Sequence, residues 1–309
     1  MSHAPAISVV LPTYNRLHTL PRAVASVLAQ TYRDLELIIV DDGSTDGTAE
    51  FVRGIGDDRV VYVRRERAGG VSVARNAGIA KARGRYVAFQ DSDDEWLLEK
   101  LERQMQLMDK LGDRCGIAGC ELWRYIGGAA IVVRWAEIPE DRERVSPEGH
   151  VAAFSGFLQT TLFRRECLLE IGPFDEELWV CEDWELTLRA IGKWTIGNVP
   201  LPLVVSYESA GSLSSHTERR SFALRRIHER HRTLIDGNRN SRVRYLCELA
   251  KAEFYSGRPR DARRAALHAI GGSPTSLIAW GLFLGSFAGS PQRMIAAYRA
   301  TKRRLGLYR

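Results

Sequence analysis

The chain has 309 residues, 45% hydrophobic and 27% charged, enough to bury a good core in one large domain plus an appendage. Its five cysteines form no CxxC pair and are odd in number, so neither a disulfide framework nor a zinc ribbon is indicated, and a reducing, cytoplasmic compartment fits best. The net charge of +6 conceals a division: residues 217–309 carry 20 Lys and Arg against 6 Asp and Glu (+14), and the remainder carries 24 against 32 (−8).

The first six residues have no basic stretch ahead of a long apolar run, so they are not read as a signal peptide. Ile7–Leu11 is an apolar run ended by Pro12 and predicts a buried strand, with Thr13–Arg16 as a loop. Thr19 is placed to cap a helix that tolerates Pro21 in its first turn and buries Ala23, Val24, Val27 and Leu28. Leu35–Val40 predicts the second strand. In the turn Asp41–Gly47 that follows, Ser44 or Thr45 is placed to cap a helix running through Val52. Val60–Val63 is a third strand. Gly69 and Gly70 then lead to a helix with Val73, Ala77 and Ala80 on one face. Tyr86–Phe89 is the fourth strand. Its turn, Asp91-Ser92-Asp93-Asp94, leads to a helix from Trp96, with Asp94 as the cap.

This β-α-β-α-β-α-β series predicts an α/β fold with a mostly parallel sheet and right-handed crossovers. The polar clusters Thr13–Arg16, Asp41–Ser44 and Asp91–Asp94 all fall at the carboxyl ends of strands, where such sheets bind ligands. Beyond Cys115 the pattern changes. Strands are predicted at Cys115–Tyr125, Ala129–Trp135, Leu158–Phe163, Trp194–Ile196 and Leu203–Tyr207. Helices are predicted at Arg164–Ile171 and from Asp183 to Ile191. A polar loop carries Pro139 and Pro147, and a Ser/Gly-rich loop runs from Glu208 to Thr217. Residues 218–309 read as helices throughout, with breaks near Gly237, Pro259, Pro274 and Pro291. The expected division is 1–216 and 217–309.

Asp41-Asp42-Gly43-Ser44 admits three readings: a helix cap, a receiver-type acid pocket for magnesium, or a contact to a nucleotide base or ribose. The receiver reading needs a shorter chain and leaves Asp91–Asp94 unexplained. Three carboxylates crowded on one turn at the sheet edge repel one another, and a hard divalent cation bridging to a diphosphate relieves that. No GxxxxGK[ST] loop and no GxGxxG occur, which argues against P-loop and dinucleotide sites.

Five motifs together carry a resemblance: Ile7–Arg16, Val40–Gly47, Ala74-Arg75-Asn76-Ala77-Gly78, Asp91–Asp94 and Cys181-Glu182-Asp183-Trp184. In order and spacing, over about residues 6–215, the chain resembles family 2 glycosyltransferases of the Rossmann-like GT-A fold. The resemblance implies an inverting, metal-dependent transfer of a sugar from a nucleoside diphosphate. UDP is the favoured carrier, with dTDP and GDP open, and the acceptor is a glycan or lipid-linked hydroxyl. It implies a nucleotide-sugar site of Pro12, Thr13, Tyr14, Asn15, Arg16, Asp42, Arg75, Asn76, Asp91 and Ser92. Within it, Thr13, Tyr14 and Asp42 lie around the base and Arg16 and Arg75 near ribose or phosphates. Asp93, with or without Asp91, would hold Mg2+ or Mn2+, and Asp183 matches the catalytic base, with Glu182 and Glu185 as runners-up. The bland reading of Asp183 is a plain helix cap, a place where cap and helix dipole would keep it ionised. Relatives carry a His or Arg near Tyr207–Ser209, where this chain has Glu208.

The basic tail has two readings. Its arginines are simply solvated, or the apolar Leu277–Leu284 and the cations of residues 293–304 meet anionic lipid on the inner face of the cell membrane. The apolar run to Ala288 is shorter than the roughly 20 residues a spanning helix needs. No recognition motif accompanies the charge, so nucleic acid is not expected as a partner. The competing functional reading is a nucleotide-sugar-binding adaptor at the membrane without turnover.

Overall fold

The computed structural model describes residues 4–134, 157–207 and 217–287. The chain divides into two units, Met1–Ser212 and Leu213–Arg309.

In the first unit, β1 (Ile7–Thr13), β2 (Leu35–Asp41), β3 (Val60–Arg64) and β4 (Tyr86–Phe89) form the parallel part of a nine-stranded sheet. Between them run α1 (Leu20–Leu28), α2 (Thr48–Arg53) and α3 (Val71–Lys81). The rest comprises β5 (Glu95–Trp96), α4 (Lys100–Leu111), β6 (Cys115–Ile126), β7 (Ala129–Val133), β8 (Leu162–Arg164), α5 (Arg165–Ile171), α6 (Glu182–Leu188) and β9 (Thr195–Tyr207). The strand order is β3-β2-β1-β4-β8-β6-β9-β5, with β7 on β6. Most paired residues lie in parallel ladders. Antiparallel β8 joins β4 to β6, and β5 runs antiparallel to β9.

β1 and β2 are buried on both faces, so they read as unbroken apolar runs rather than alternating ones. Val9, Leu11, Leu37 and Ile39 face one core with α1; Val10, Ile38, Val40 and Phe89 face the other with Ala74 of α3. Phe89 is fully buried, edge-on to Phe163 and Phe174 at 5.8 and 5.5 Å. The register sets Thr13 opposite Asp41 and Val10 opposite Phe89, so the turns after β1, β2 and β4 leave the same edge.

Several local expectations are corrected. No helix begins at Trp96: Glu95 and Trp96 pair with Val205 and Val204, and α4 starts at Lys100. Leu158–Thr160 is a 3-10 turn, because the Thr160 and Thr161 hydroxyls donate to Phe157 O and Leu158 O. The two late strands are one, β9, whose ladder to β6 is irregular near Pro200 and Pro202, which lack the N–H a ladder needs. The residues of α3 that are buried are Ser72, Ala74, Arg75 and Gly78, and Ala80 is exposed. α6 stops at Leu188. Neither Ser44 nor Thr45 caps α2; Gly47, at φ 87°, stands at its cap and Asp46 accepts from the Thr48 N–H. Thr19 precedes α1 without a side-chain cap bond. The loops with Pro139 and Pro147 and from Glu208 lie outside the described residues, as does the break near Pro291.

The second unit contains α7 (Thr217–Asp236, kinked at His231), α8 (Arg239–Tyr255), α9 (Pro259–Gly272) and α10 (Leu277–Gly285). Asn238 and Ser276 cap α8 and α10. Glu253, 1% exposed, accepts from Ser221, Arg225 and Arg258, which satisfies a carboxylate inside the unit. Among the described residues no helix is long and apolar enough to cross a membrane.

Candidate active site

At the end of β1, Thr13 is buried and its Oγ1 has no hydrogen-bond partner among the described residues. Tyr14 beside it is 51% exposed, and Pro12 is buried within the strand. Asn15 adopts φ 50°. Its N–H donates to Ser44 Oγ and its Oδ1 accepts from the Thr45 N–H, at 2.9 and 2.8 Å, which ties the first turn to the second. Asp41 is fully buried and accepts from the Ser44 N–H and the Tyr62 hydroxyl. Burial and this carboxylate push the Tyr62 phenol up to about 12. Asp42 accepts from Arg65 and from the Gly69 and Gly70 N–H groups at 2.9 and 2.8 Å, so it orders the loop leading into α3.

Arg75 is the hinge of the site. Buried on α3, it donates to Asp91 Oδ1 at 2.8 Å and to Glu182 Oε1 at 2.6 Å. It thereby joins the turn after β4 to the start of α6, two motifs far apart in the chain. Its Nε has no hydrogen-bond partner among the described residues. Burial and the two carboxylates compete, and the guanidinium ends above its ordinary value. Asn76 points elsewhere: its amide bonds to the backbone of Phe174 and to Glu176, pinning α3 to the segment ahead of α6.

Asp91 and Asp93 lie on one turn with half-buried Ser92 between them. Their side chains are 29% and 23% exposed, and Asp93 lies 3.5 Å from Arg16. Burial raises the Asp91 carboxyl, Arg75 opposes the rise and the charge on Asp93 adds to it. Among the described residues no group of three or more His, Cys, Asp or Glu is gathered to hold a metal. Two carboxylates on a turn are nevertheless the hard oxygen donors that Mg2+ or Mn2+ takes from a protein when a diphosphate and water supply the rest, so the residues fit such an ion. Asp94 is not a cap. It is 3% exposed, accepts from Gln159 at 2.9 Å and from Ser206, and is held well above the usual carboxylate range by burial and by Asp91 and Asp93.

Cys181, at φ 60°, precedes α6 and takes its cap position. Asp183 therefore sits inside the first turn, its Oδ1 accepting from the Trp184 N–H at 2.7 Å. Burial, then the neighbouring Glu182, push its carboxyl up to about 8; the helix start does not keep it ionised. Glu182 is tied to Arg75, and Glu185, 1% exposed, to Arg189 at 3.0 Å.

Three residues at this edge escape a sequence reading. Arg22 of α1 donates to the Asp93 carbonyl at 2.7 Å, with its guanidinium 3.9 Å from the ring centre of Tyr207, and the Tyr207 hydroxyl donates to Glu95 at 3.2 Å. Gln159 completes the hold on the acidic turn. An arginine beside the buried Ala23 and Val24 was the available signal for Arg22.

The profile of glycosyl transferase family 2 matches residues 8–166. The chain belongs to glycosyl transferase family 2. Escherichia coli WfgD, a UDP-Glc:alpha-D-GlcNAc-diphosphoundecaprenol beta-1,3-glucosyltransferase, is 42% identical over 104 residues, 34% of this chain and 41% of WfgD. The match thus spans less than half of that relative. Staphylococcus aureus TarS 1–349, solved in complex with UDP-GlcNAc, superposes with a TM-score of 0.67 at 21% identity, over 97% of this chain and 92% of the other. The mannosyltransferase PcManGT of Pyrobaculum calidifontis, solved with GDP-Man and Mn2+, gives 0.60 at 20% identity, over 100% and 82%. These likenesses bear out the GT-A type of fold with a helical C-terminal region, as family 2 membership predicts.

Proposed function

We propose that this family 2 protein transfers a sugar from a nucleoside diphosphate to a hydroxyl of a glycan or lipid-linked acceptor, with inversion at the anomeric carbon. The observation that carries the reading is the Arg75 bridge, which makes one site of the Asp91–Asp93 turn and the Glu182-Asp183 turn. The buried, unpartnered Thr13 hydroxyl and the exposed Tyr14 ring support a base contact at the end of β1. UDP is the proposed carrier, in line with the donors named for WfgD and TarS, and WfgD's diphosphoundecaprenol substrate supports a lipid-linked acceptor here.

Asp183 is the proposed base. It removes the acceptor proton as the oxygen attacks the anomeric carbon, and the diphosphate leaves with the bonding pair. Glu182 and Glu185 are engaged by arginines, which leaves Asp183 as the carboxylate of that turn suited to the task. Asp91 and Asp93 would hold Mg2+ or Mn2+, which would offset charge on the departing diphosphate. Arg16, beside Asp93, adds a cation at the same edge. Asp42 acts through the loop it orders.

A thermal-shift series with UDP-, dTDP- and GDP-sugars, each with Mn2+, tests the donor class. A UDP-sugar is expected to raise the midpoint by mass action, and EDTA to abolish the rise. No shift with any nucleotide sugar overturns the donor assignment, and a shift unchanged by EDTA overturns the metal assignment.

A further inference from the structure

Helix α10 is apolar on the face it turns to solvent. Leu277, Trp280, Leu284 and Phe287 follow at helical spacing along one stripe and are 58%, 41%, 63% and 59% exposed. Ala279 and Leu282, on the other side, are buried. A helix packed on one face is ordinarily polar on the other, and this one is not. The Trp280 Nε1 donates to Pro274 O at 2.8 Å, so its polar atom is satisfied within the chain. The nine residues span about 13 Å, far less than the roughly 30 Å of a bilayer core.

Charge supplies the second, independent observation. Residues 262–309 contain eight Lys and Arg and no Asp or Glu. One of these cations, Arg263 of α9, stands 4.5 Å over the Phe287 ring, at the border of the stripe. A site for another protein does not require acids to be absent over so long a stretch. An anionic lipid surface favours it, since every added carboxylate is repelled.

We propose that the α10 stripe and the arginines beside it seat this unit on the anionic surface of a phospholipid bilayer. The leucines, Trp280 and Phe287 lie at the boundary between headgroups and acyl chains, and the guanidinium groups meet lipid phosphates. The whole chain is sedimented with phosphatidylcholine vesicles, with and without phosphatidylglycerol, in the absence of donor and acceptor. The outcome is therefore independent of the transfer reading. Pelleting is expected with phosphatidylglycerol, weakening as salt is raised, and little with phosphatidylcholine alone. Trp280→Ser combined with Leu284→Ser, at exposed positions, is expected to lower partitioning about tenfold or more. Arg263→Glu is expected to weaken binding to the anionic vesicles only. Unchanged thermal midpoints establish that the variants fold. Equal pelleting of the double variant and the wild type overturns the proposal, as does equal pelleting on both vesicle types. So does a loss of dimers by light scattering without any vesicle binding, which assigns the stripe to a second copy of the chain.

Discussion

Asp183 is held where ionisation is unfavourable. Its carboxyl is raised from 3.8 to about 8, chiefly by burial. Between those values the folded protein keeps a proton that the unfolded chain has released, so folding stability falls as pH rises from about 4 and the loss is complete above about 8. Asp183→Asn does not titrate. Its thermal midpoint should pull ahead of the wild type's across that window and hold a constant lead above it; a lead that does not grow with pH contradicts the assigned environment. The same shift bears on turnover. A base must be ionised to accept a proton, so kcat/KM for the free enzyme is expected to climb with pH toward a plateau beyond about 8. Arg75 lowers the Asp183 value and Glu182 raises it, so the bridge that unites the two motifs also tunes the proposed base.

At the scale of elements, α3 places Arg75 by lying close on the sheet. A Cβ at Gly78 would run into the Val10 and Val40 side chains. Gly78→Ala in an exposed helix would gain about 1 kcal/mol. Here overpacking should reverse the sign and cost about 1–3 kcal/mol, read by urea denaturation; a stabilised variant would contradict the close approach. The first half of this sheet was legible because β1, β2 and β4 are short apolar runs that each end in a polar turn. The acidic turn and its edge were legible for the same reason. The later elements were not, and the causes are tertiary. Asp94 looks like a cap, yet Gln159 and Ser206 claim it because Glu95 and Trp96 join a strand from far along the chain. Pro200 and Pro202 divide the apparent pattern of β9, although β6 carries the strand past them. The engagement of Asp42 with Arg65, Gly69 and Gly70 is likewise a matter of loop closure that spacing does not encode.

Over the whole molecule, an acidic first part bears the proposed chemistry and a strongly basic second part bears an exposed apolar stripe. Each unit pairs buried charges of its own: Arg75 with Asp91 and Glu182 in one, Glu253 with Arg225 and Arg258 in the other. An anionic surface and a lipid-linked acceptor would bring both parts to the same place, although either proposal stands or falls alone. The central claim is that Asp183 removes the acceptor proton while other residues bind the donor. Its most direct test is to measure release of nucleoside diphosphate from the donor, with acceptor present, for wild type and Asp183→Asn, alongside calorimetric donor affinity. The account predicts that turnover by Asp183→Asn falls by several orders of magnitude, roughly 10²–10⁴-fold, with donor affinity nearly unchanged. Turnover at the wild-type rate would contradict it.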